Sequence, residues 1–186
     1  MPVRDASLKD WLRAERAVNG HHLEIMGLHY DLTGALAAGQ HGLAWSAQQS
    51  LLVETLHVRL AYAGVACRTA GDRVTRAFAV MEATAAMDAA LADEAWELWL
   101  RPMPPDEEIP EALEEVRCFV ADRLGLPWAR DRAAAVRRWA ENTNDLRTVA
   151  RRLGMAQSDD WYVSEKPEST PDWYAEVLAA LEAEDS

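Results

Sequence analysis

The side chains best suited to acid/base chemistry are concentrated at one end of this chain. All five histidines lie within the first 57 of its 186 residues. Two spacings bring a histidine together with a carboxylate, His21-x-x-Glu24 and Glu54-x-x-His57, and residues three apart share one face of a helix. A carboxylate and an imidazole held side by side can move protons to and from a bound hydroxyl or amine. These four residues are therefore the first candidates for a functional site.

Two long helices are predicted to carry these residues, one over residues 20–38 and the other over residues 43–63. Apolar residues cover most of the circumference of both segments, which is typical of buried helices. The intervening glycines predict a turn. We expect the two helices to fold back antiparallel about a turn centred between Gln40 and His41, so that residues at equal distances from this point face each other.

A regular glycine spacing suggests how these two helices pack. A glycine recurs every seven residues along the first helix, at Gly20, Gly27 and Gly34. Glycine inside a helix costs about 1 kcal/mol relative to alanine, so we expect these glycines to allow close backbone approach along a heptad seam. In this arrangement Glu54 faces Gly27, and Glu24 faces His57. Two imidazoles and two carboxylates are therefore predicted to converge in the middle of the hairpin.

Glu54 is the predicted general base of this site. An apolar, glycine-lined pocket would raise its pKa, with His57 beside it and Glu24 facing it as further catalytic residues. The substrate-binding residues are expected to be His21, Gln48, Tyr30 and Arg59. A purely structural interpretation is also open, because buried ion pairs perturb pKa values too. In that interpretation Glu54 pairs with Arg59 or with a helix dipole, and the imidazoles are satisfied core groups.

The same spacings raise the question of a metal centre. Di-iron helical bundles use Glu-x-x-His from two helices and one further glutamate from each of two others. Here only Glu54-x-x-His57 runs in that direction, whereas His21-x-x-Glu24 is reversed. No further helix offers a convincing bridging carboxylate. The sequence therefore predicts no metal site, and no other cofactor.

Composition and charge narrow the classes of partner. Apolar residues make up 49% of the chain and charged residues 27%, which is a globular composition. The net charge of -12 argues against binding to nucleic acid or to an anionic membrane surface. No apolar run approaches the roughly 20 residues of a membrane span. No signal peptide precedes Cys67 and Cys118, so we expect reduced thiols in a cytoplasmic protein.

The predicted fold class is all-α, a helical bundle built on the long antiparallel hairpin with additional C-terminal helices. Residues 1–154 are expected to form the bundle, with a Pro-rich interhelical linker at 102–110. Residues 155–186 are expected to form an acidic tail with one helix. The helices are predicted as follows: a first one from Leu8 that ends or bends at Asn19-Gly20, the two of the hairpin, one opening at Gly71-Asp72, and others over residues 93–101, 110–124, 129–141, 143–153 and 171–184.

One resemblance to a known family rests on the hairpin. The Ala-rich hairpin turns on Ala38-Gly39 and ends Leu60-Ala61-Tyr62-Ala63-Gly64-Val65, and it resembles the helical domain attached to aminoglycoside-type nucleotidyltransferases. The resemblance covers about the first hundred residues. It implies a bundle that grips a polar small molecule, with Glu54 as a base acting on a substrate hydroxyl. The strand-borne Gly-Ser and paired Asp of the nucleotidyltransferase half are missing from this chain.

Two functions from different classes follow from these observations. The first is binding of a small polar metabolite, and its transformation by metal-independent acid/base chemistry, in a Glu/His pocket between the first two long helices. The alternative is a non-catalytic interaction or regulatory protein whose acidic Trp/Tyr tail docks a partner. A protein partner or a homodimer remains open in both cases.

Overall fold

A computed structural model gives the secondary structure of residues 5–65, 67 and 71–152, and the side chains of residues 18–65, 67 and 71–143. Over these residues the chain is all-α and contains no β-strand, which confirms the predicted class. The helices are α1 (Asp5–Ala37), α2 (His41–Tyr62), α3 (Arg73–Met87), α4 (Ala89–Leu100), α5 (Ile109–Cys118) and α6 (Arg132–Arg152).

The antiparallel hairpin is formed by α1 and α2. Gly39 has φ +67°, and the amide of Gln40 donates to the carbonyl of Ala35 at 2.8 Å. This 6→1 bond and the left-handed glycine are the features of a Schellman cap, which explains why α1 ends there. At Asn19-Gly20, where the sequence left open whether the helix breaks, α1 continues as one helix.

Helix α2 lies at the centre of the bundle. It packs against α1, α3, α4 and α5, and every residue from 51 to 58 is buried. The core around it combines Leu52 and Leu56 with Val80 of α3 and Val116 of α5. A helix that is apolar around its whole circumference has to be surrounded in this way. The polar residues within it are consequently removed from water.

Aspartate caps set the start of the next two helices. The Asp72 carboxylate accepts from the amide of Thr75 at 2.8 Å, so α3 opens where the sequence predicted. Asp88 ends α3 and caps α4 by accepting from the amide of Leu91 at 3.1 Å. Helix α4 therefore begins at Ala89, before the predicted start at Asp93.

The helix predicted over residues 110–124 corresponds to α5 continued by a π-helical turn, Phe119–Arg123. It ends at Gly125, with φ +68°. The two helices predicted over 129–141 and 143–153 are wrong, since α6 runs through both. At the predicted boundary between these two segments, Asn142 is buried and accepts a hydrogen bond at 2.7 Å from Asn19 of α1. This tertiary partner occupies a side chain that would otherwise compete with the helix backbone.

The segment 102–110 joins α4 to α5 through a short 3-10 turn, Asp106–Glu108, and the first turn of α5. The predicted helix over 171–184 and the acidic tail at 155–186 lie outside the described residues. None of the described helices combines the length and the apolar character that crossing a membrane requires.

Candidate functional site: a buried histidine–glutamate cluster

Three of the predicted residues meet between α1 and α2, and we call His21, Glu54 and His57 the His–Glu cluster. Glu54 and His57 project from the same face of α2, and α1 brings His21 against both. The Nδ1 of His21 lies 2.8 Å from Oε2 of Glu54. The rings of His21 and His57 have centroids 4.1 Å apart and are tilted by 52°. One possible ligand atom from each residue lies within 4.8 Å of the others.

Arg76 of α3 completes the surroundings of Glu54. Its Nη2 forms an ion pair with Oε1 of Glu54, whose side chain is only 5% exposed. The carboxylate is thus held on one oxygen by a guanidinium and on the other by an imidazole, which together offset its removal from water. The predicted apolar, glycine-lined pocket is wrong, and so is the structural alternative in which Arg59 pairs with Glu54.

His57 is the most unusual member of the cluster. Burial lowers its pKa to about 4, with a further contribution from the neighbouring His21. The ring is therefore neutral at neutral pH and keeps one nitrogen lone pair. Its Nδ1 is buried and has no hydrogen-bond partner among the side chains and backbone that the structure describes. A buried polar atom without a partner is uncommon in proteins. In the described chain Nδ1 of His22 and the amide of Gln48 share this property, so the contact of the His57 ring with His21 is what makes His57 the candidate for binding a ligand.

Glu24 does not join the cluster as predicted. Its side chain is 54% exposed, and its Oε1 lies 3.9 Å from Nη1 of Arg76. Arg76 therefore bridges the two glutamates, with Glu54 inside and Glu24 at the solvent edge. One carboxylate and two imidazoles converge, instead of the two carboxylates and two imidazoles that the sequence predicted.

The position of the hairpin turn explains this difference. Helix α1 ends at Ala37 and α2 begins at His41, so the turn is centred on Gly39 and not between Gln40 and His41. Every facing pair consequently shifts by about one helical turn. His21, rather than Glu24, faces His57.

The predicted glycine seam is also wrong. A Cβ placed on Gly20, Gly27 or Gly34 would meet nothing within 4 Å. The backbones of α1 and α2 do not come close at these glycines. Near the cluster, the long side chains of His21 and Glu54 bridge the gap between the two helices. These glycines therefore do not have the packing role that their spacing suggested.

The remaining predicted binding residues lie elsewhere. Gln48 is fully buried, and its side-chain atoms find no hydrogen-bond partner in the described part of the chain. It precedes Glu54 by six residues and so projects from a different side of α2. The ring of Tyr30 faces α6, with the guanidinium of Arg132 4.4 Å from its centroid. Arg59 is half-buried on the last turns of α2. The structure does not bring these three residues to the cluster.

The other histidines have structural surroundings. The ring of His22 packs edge-on against Trp128 at 4.6 Å, and burial, followed by the charge of Arg138, lowers its pKa to about 3. His29 donates from Nε2 to the carbonyl of Ala129 at 3.0 Å. His22 and His29 are seven residues apart and share the face of α1 that packs on the α6 side. His41 lies at the surface, 3.0 Å from a carboxylate oxygen of Asp106.

Sequence reasoning missed Arg76, although a signal was present. Arg76, Val80 and Thr84 follow one another at four-residue intervals, and both Val80 and Thr84 are fully buried. An arginine at the start of an apolar stripe must find a buried carboxylate or reach solvent. The sequence did not show which carboxylate α3 would meet, because that depends on how α3 packs on α2.

A concave feature lies away from the His–Glu cluster, between α4 and the π-helical turn. It is a surface groove of about 330 Å³ with Leu98 and Phe119 in its apolar part. Two ion pairs flank it, Arg101 with Glu115 at 2.9 Å and Arg123 with Glu94 at 2.8 Å. Because both guanidinium groups are already paired at the surface, the groove is a weaker candidate for chemistry than the His–Glu cluster.

Comparison with protein-family models, curated proteins and solved structures finds no match to this chain. Its function is therefore argued from the site itself. The resemblance to the helical domain of aminoglycoside-type nucleotidyltransferases stays a prediction.

Proposed function

We propose that the His–Glu cluster binds a small polar molecule that carries a hydroxyl or an amine, and exchanges a proton with it. The observation that carries this proposal is the buried neutral ring of His57 beside the paired His21 and Glu54. In the described part of the chain, its Nδ1 has no hydrogen-bond partner. A polar group of a ligand would supply the missing hydrogen bond. Protein sites commonly recognise ligands through a few such polar groups in apolar surroundings.

The geometry supports a division of roles among the three residues. Glu54 accepts the Nδ1 proton of His21, which leaves Nε2 of His21 as the basic nitrogen. An imidazole oriented by a carboxylate is the usual arrangement of a general base, because the carboxylate stabilises the imidazolium that forms. In this proposal His21 is the base and Glu54 orients it. The sequence had instead predicted Glu54 as the general base. His57 holds the ligand.

Access from solvent is compatible with these roles. The side chain of His21 is 18% exposed, whereas that of Glu54 is 5% exposed. A ligand could therefore reach the imidazole of His21 from the solvent, while the carboxylate of Glu54 remains shielded from water. Arg76 fixes the other oxygen of Glu54, so the orienting carboxylate cannot rotate away.

A binding experiment with defined probes tests this proposal. Because the proposed ligand is a small polar molecule that carries a hydroxyl or an amine, the probes are glucosamine, glucose and the aminocyclitol antibiotic kanamycin. Binding is measured by calorimetry and by NMR shifts of the imidazole protons. We expect at least one probe to shift His21 and His57, and Glu54→Gln and His57→Gln to abolish the effect while the folded state is retained.

The matched control is His41→Gln, which removes a surface histidine paired with Asp106 at 3.0 Å. This variant should bind like the wild type. Probes that shift no cluster resonance, or binding that survives both Glu54→Gln and His57→Gln, would contradict the proposal and favour a structural role for the cluster.

A further inference from the structure

We infer that the His–Glu cluster is a binding site for a single divalent first-row transition-metal ion, represented here by Zn²⁺. One ring nitrogen from each of His21 and His57 and one carboxylate oxygen of Glu54 would be the ligands. These atoms lie within 4.8 Å of one another in the structure. The sequence argued against a metal because a second Glu-x-x-His is missing, but a site for one ion does not need it.

The donor set selects the class of metal. Two imidazoles and one carboxylate are the protein ligands of many catalytic zinc sites and of the facial triad that binds Fe²⁺. Mg²⁺ and Ca²⁺ prefer oxygen ligands throughout, so they are disfavoured here. Three protein ligands leave at least one coordination position open to water or to a substrate.

The spacing requires only small side-chain movements. Bonds of about 2.0–2.2 Å from the ion to nitrogen and oxygen place neighbouring ligand atoms about 3–3.5 Å apart. The Nδ1 of His21 and Oε2 of Glu54, now 2.8 Å apart, would separate slightly to admit the ion. The ring of His57 would approach them. Both movements are within the reach of side-chain torsions and leave the helices in place.

The surroundings already hold the ligands in position. Glu54 and His57 are one turn apart on α2, whose residues 51–58 are all buried. Arg76 occupies Oε1 of Glu54 and so presents Oε2 alone to the cluster. Partners of this kind orient metal ligands, and their loss typically weakens metal binding about 10–100-fold.

Protons and charges can be accounted for at this site. His21 now donates its Nδ1 proton to Glu54, and binding through Nδ1 requires the tautomer that carries its proton on Nε2. The ion therefore takes the place of the proton between the two side chains. Glu54 and Glu24 together outweigh the single charge of Arg76, so the added ion meets a net negative site.

This inference rests on the proposed function in taking the same three residues as the site of the polar molecule, but it changes their roles. With the ion bound, His21 and His57 are metal ligands, and the open coordination position, in place of the His21 base, would accept the hydroxyl or amine of the molecule. The inference is tested with metal alone, so that a failure of either proposal leaves the other standing. The full chain is stripped of metal with a chelator and titrated with Zn²⁺ against a chromogenic chelator. Co²⁺ then serves as a spectroscopic probe, because its visible absorption reports the coordination geometry.

We expect one Zn²⁺ per chain, and a Co²⁺ spectrum of four- or five-coordinate type. His57→Gln and Glu54→Gln should abolish the visible band, and Arg76→Gln should weaken binding about 10–100-fold. His41→Gln is the matched control, since His41 and Asp106 form a histidine–carboxylate pair at 3.0 Å without a third ligand. It should leave binding unchanged.

Three results would overturn the inference. These are the absence of stoichiometric binding to the folded wild type, binding that persists in both His57→Gln and Glu54→Gln, and equal loss of binding in His41→Gln. If either buried variant fails to fold, His21→Ala, at a partly exposed position, replaces it. In that case retained binding by folded His21→Ala contradicts the site.

Discussion

The Glu54 carboxylate shows how strongly a single buried charge depends on its neighbours. Its two oxygens are held by Arg76 of α3 and His21 of α1, so residues from three helices meet at one carboxylate. An intact arrangement of this kind contributes little net stability to the folded protein. Removing one partner is costly, because the remaining charge is left buried and unpaired.

We therefore expect Arg76→Gln to lower the free energy of unfolding by about 3 kcal/mol. The measurement is urea denaturation at neutral pH. The double variant Arg76→Gln/Glu54→Gln should recover part of this loss, since it removes the unpaired charge. A coupling energy near zero between the two substitutions would show that Arg76 does not stabilise Glu54.

Arg101→Gln provides the matched control. Arg101 pairs with Glu115 just as Arg76 pairs with Glu54, but the Glu115 side chain is 52% exposed. Surface ion pairs of this kind contribute about 0–1 kcal/mol. The two arginine variants therefore differ mainly in the burial of the partner carboxylate, and a similar loss in both would contradict the interpretation.

His29 makes the stability of the fold depend on pH. Burial lowers its pKa below the ordinary value of 6.5, although the hydrogen bond to the Ala129 carbonyl opposes this effect. In the unfolded chain His29 takes up a proton below about pH 6.5, whereas the folded chain resists it. The stabilising contribution is therefore complete above pH 6.5 and is lost as the pH falls toward the lower folded pKa.

The variant that tests this is His29→Gln, which can still donate to Ala129 but does not titrate. The free energy of unfolding is measured at about pH 7.5 and at about pH 5. We expect a smaller loss between these two values in His29→Gln than in the wild type. An unchanged pH dependence in His29→Gln would mean that His29 takes up its proton over the same pH range in the folded and in the unfolded chain.

At the scale of the helices, the glycines of the α1–α2 hairpin divide into two groups. Gly27 lies inside the helix, where a Cβ would meet nothing within 4 Å. Gly39 is equally unobstructed but has φ +67°. The two positions therefore separate the cost of backbone conformation from any cost of steric contact.

We expect Gly27→Ala to stabilise the protein by about 0.5–1 kcal/mol, because alanine restricts the unfolded chain and favours helix. Gly39→Ala should destabilise it by about 1–2 kcal/mol, because the left-handed conformation is unfavourable for alanine. Thermal melting of both variants gives the comparison. A marked destabilisation by Gly27→Ala would restore the close glycine seam that the spacing suggested.

At the scale of the whole molecule, α2 and the helices around it share one core. Buried residues from α1, α2, α3, α4 and α5 form a continuous cluster that extends to Ala135 of α6. Helix α6 also packs along α1. Every residue of this cluster that the structure describes lies between Val18 and Ala135.

Deleting residues 155–186 should accordingly leave a folded bundle with a melting temperature within a few degrees of the full chain. Circular dichroism and size-exclusion chromatography check this. A second variant ending at residue 130 loses α6 and should unfold, because the buried face of α1 at Asn19 and His22 would be exposed. Recovery of the 1–154 variant only as aggregate would show that the acidic tail belongs to the core. Docking of a partner by that tail stays a prediction.

Local signals in the sequence decided the class and most helix boundaries. Asp72 and Gly39 act through their own backbone neighbours, so the start of α3 and the end of α1 could be predicted without a fold. The apolar circumference of α2 likewise required a central helix. Glu54-x-x-His57 shares a helix face for the same reason, since three residues always make nearly one turn.

Packing between helices decided the rest. The choice between His21 and Glu24 as the partner of His57 depends on where the turn is centred, and a shift of one turn exchanges them. The pairing of Glu54 with Arg76 instead of Arg59 depends on how α3 lies against α2. The side chain of Asn142, inside α6, is paired with Asn19 of α1. Each of these outcomes is set by residues that are distant in sequence, whose contacts exist only after the chain has folded.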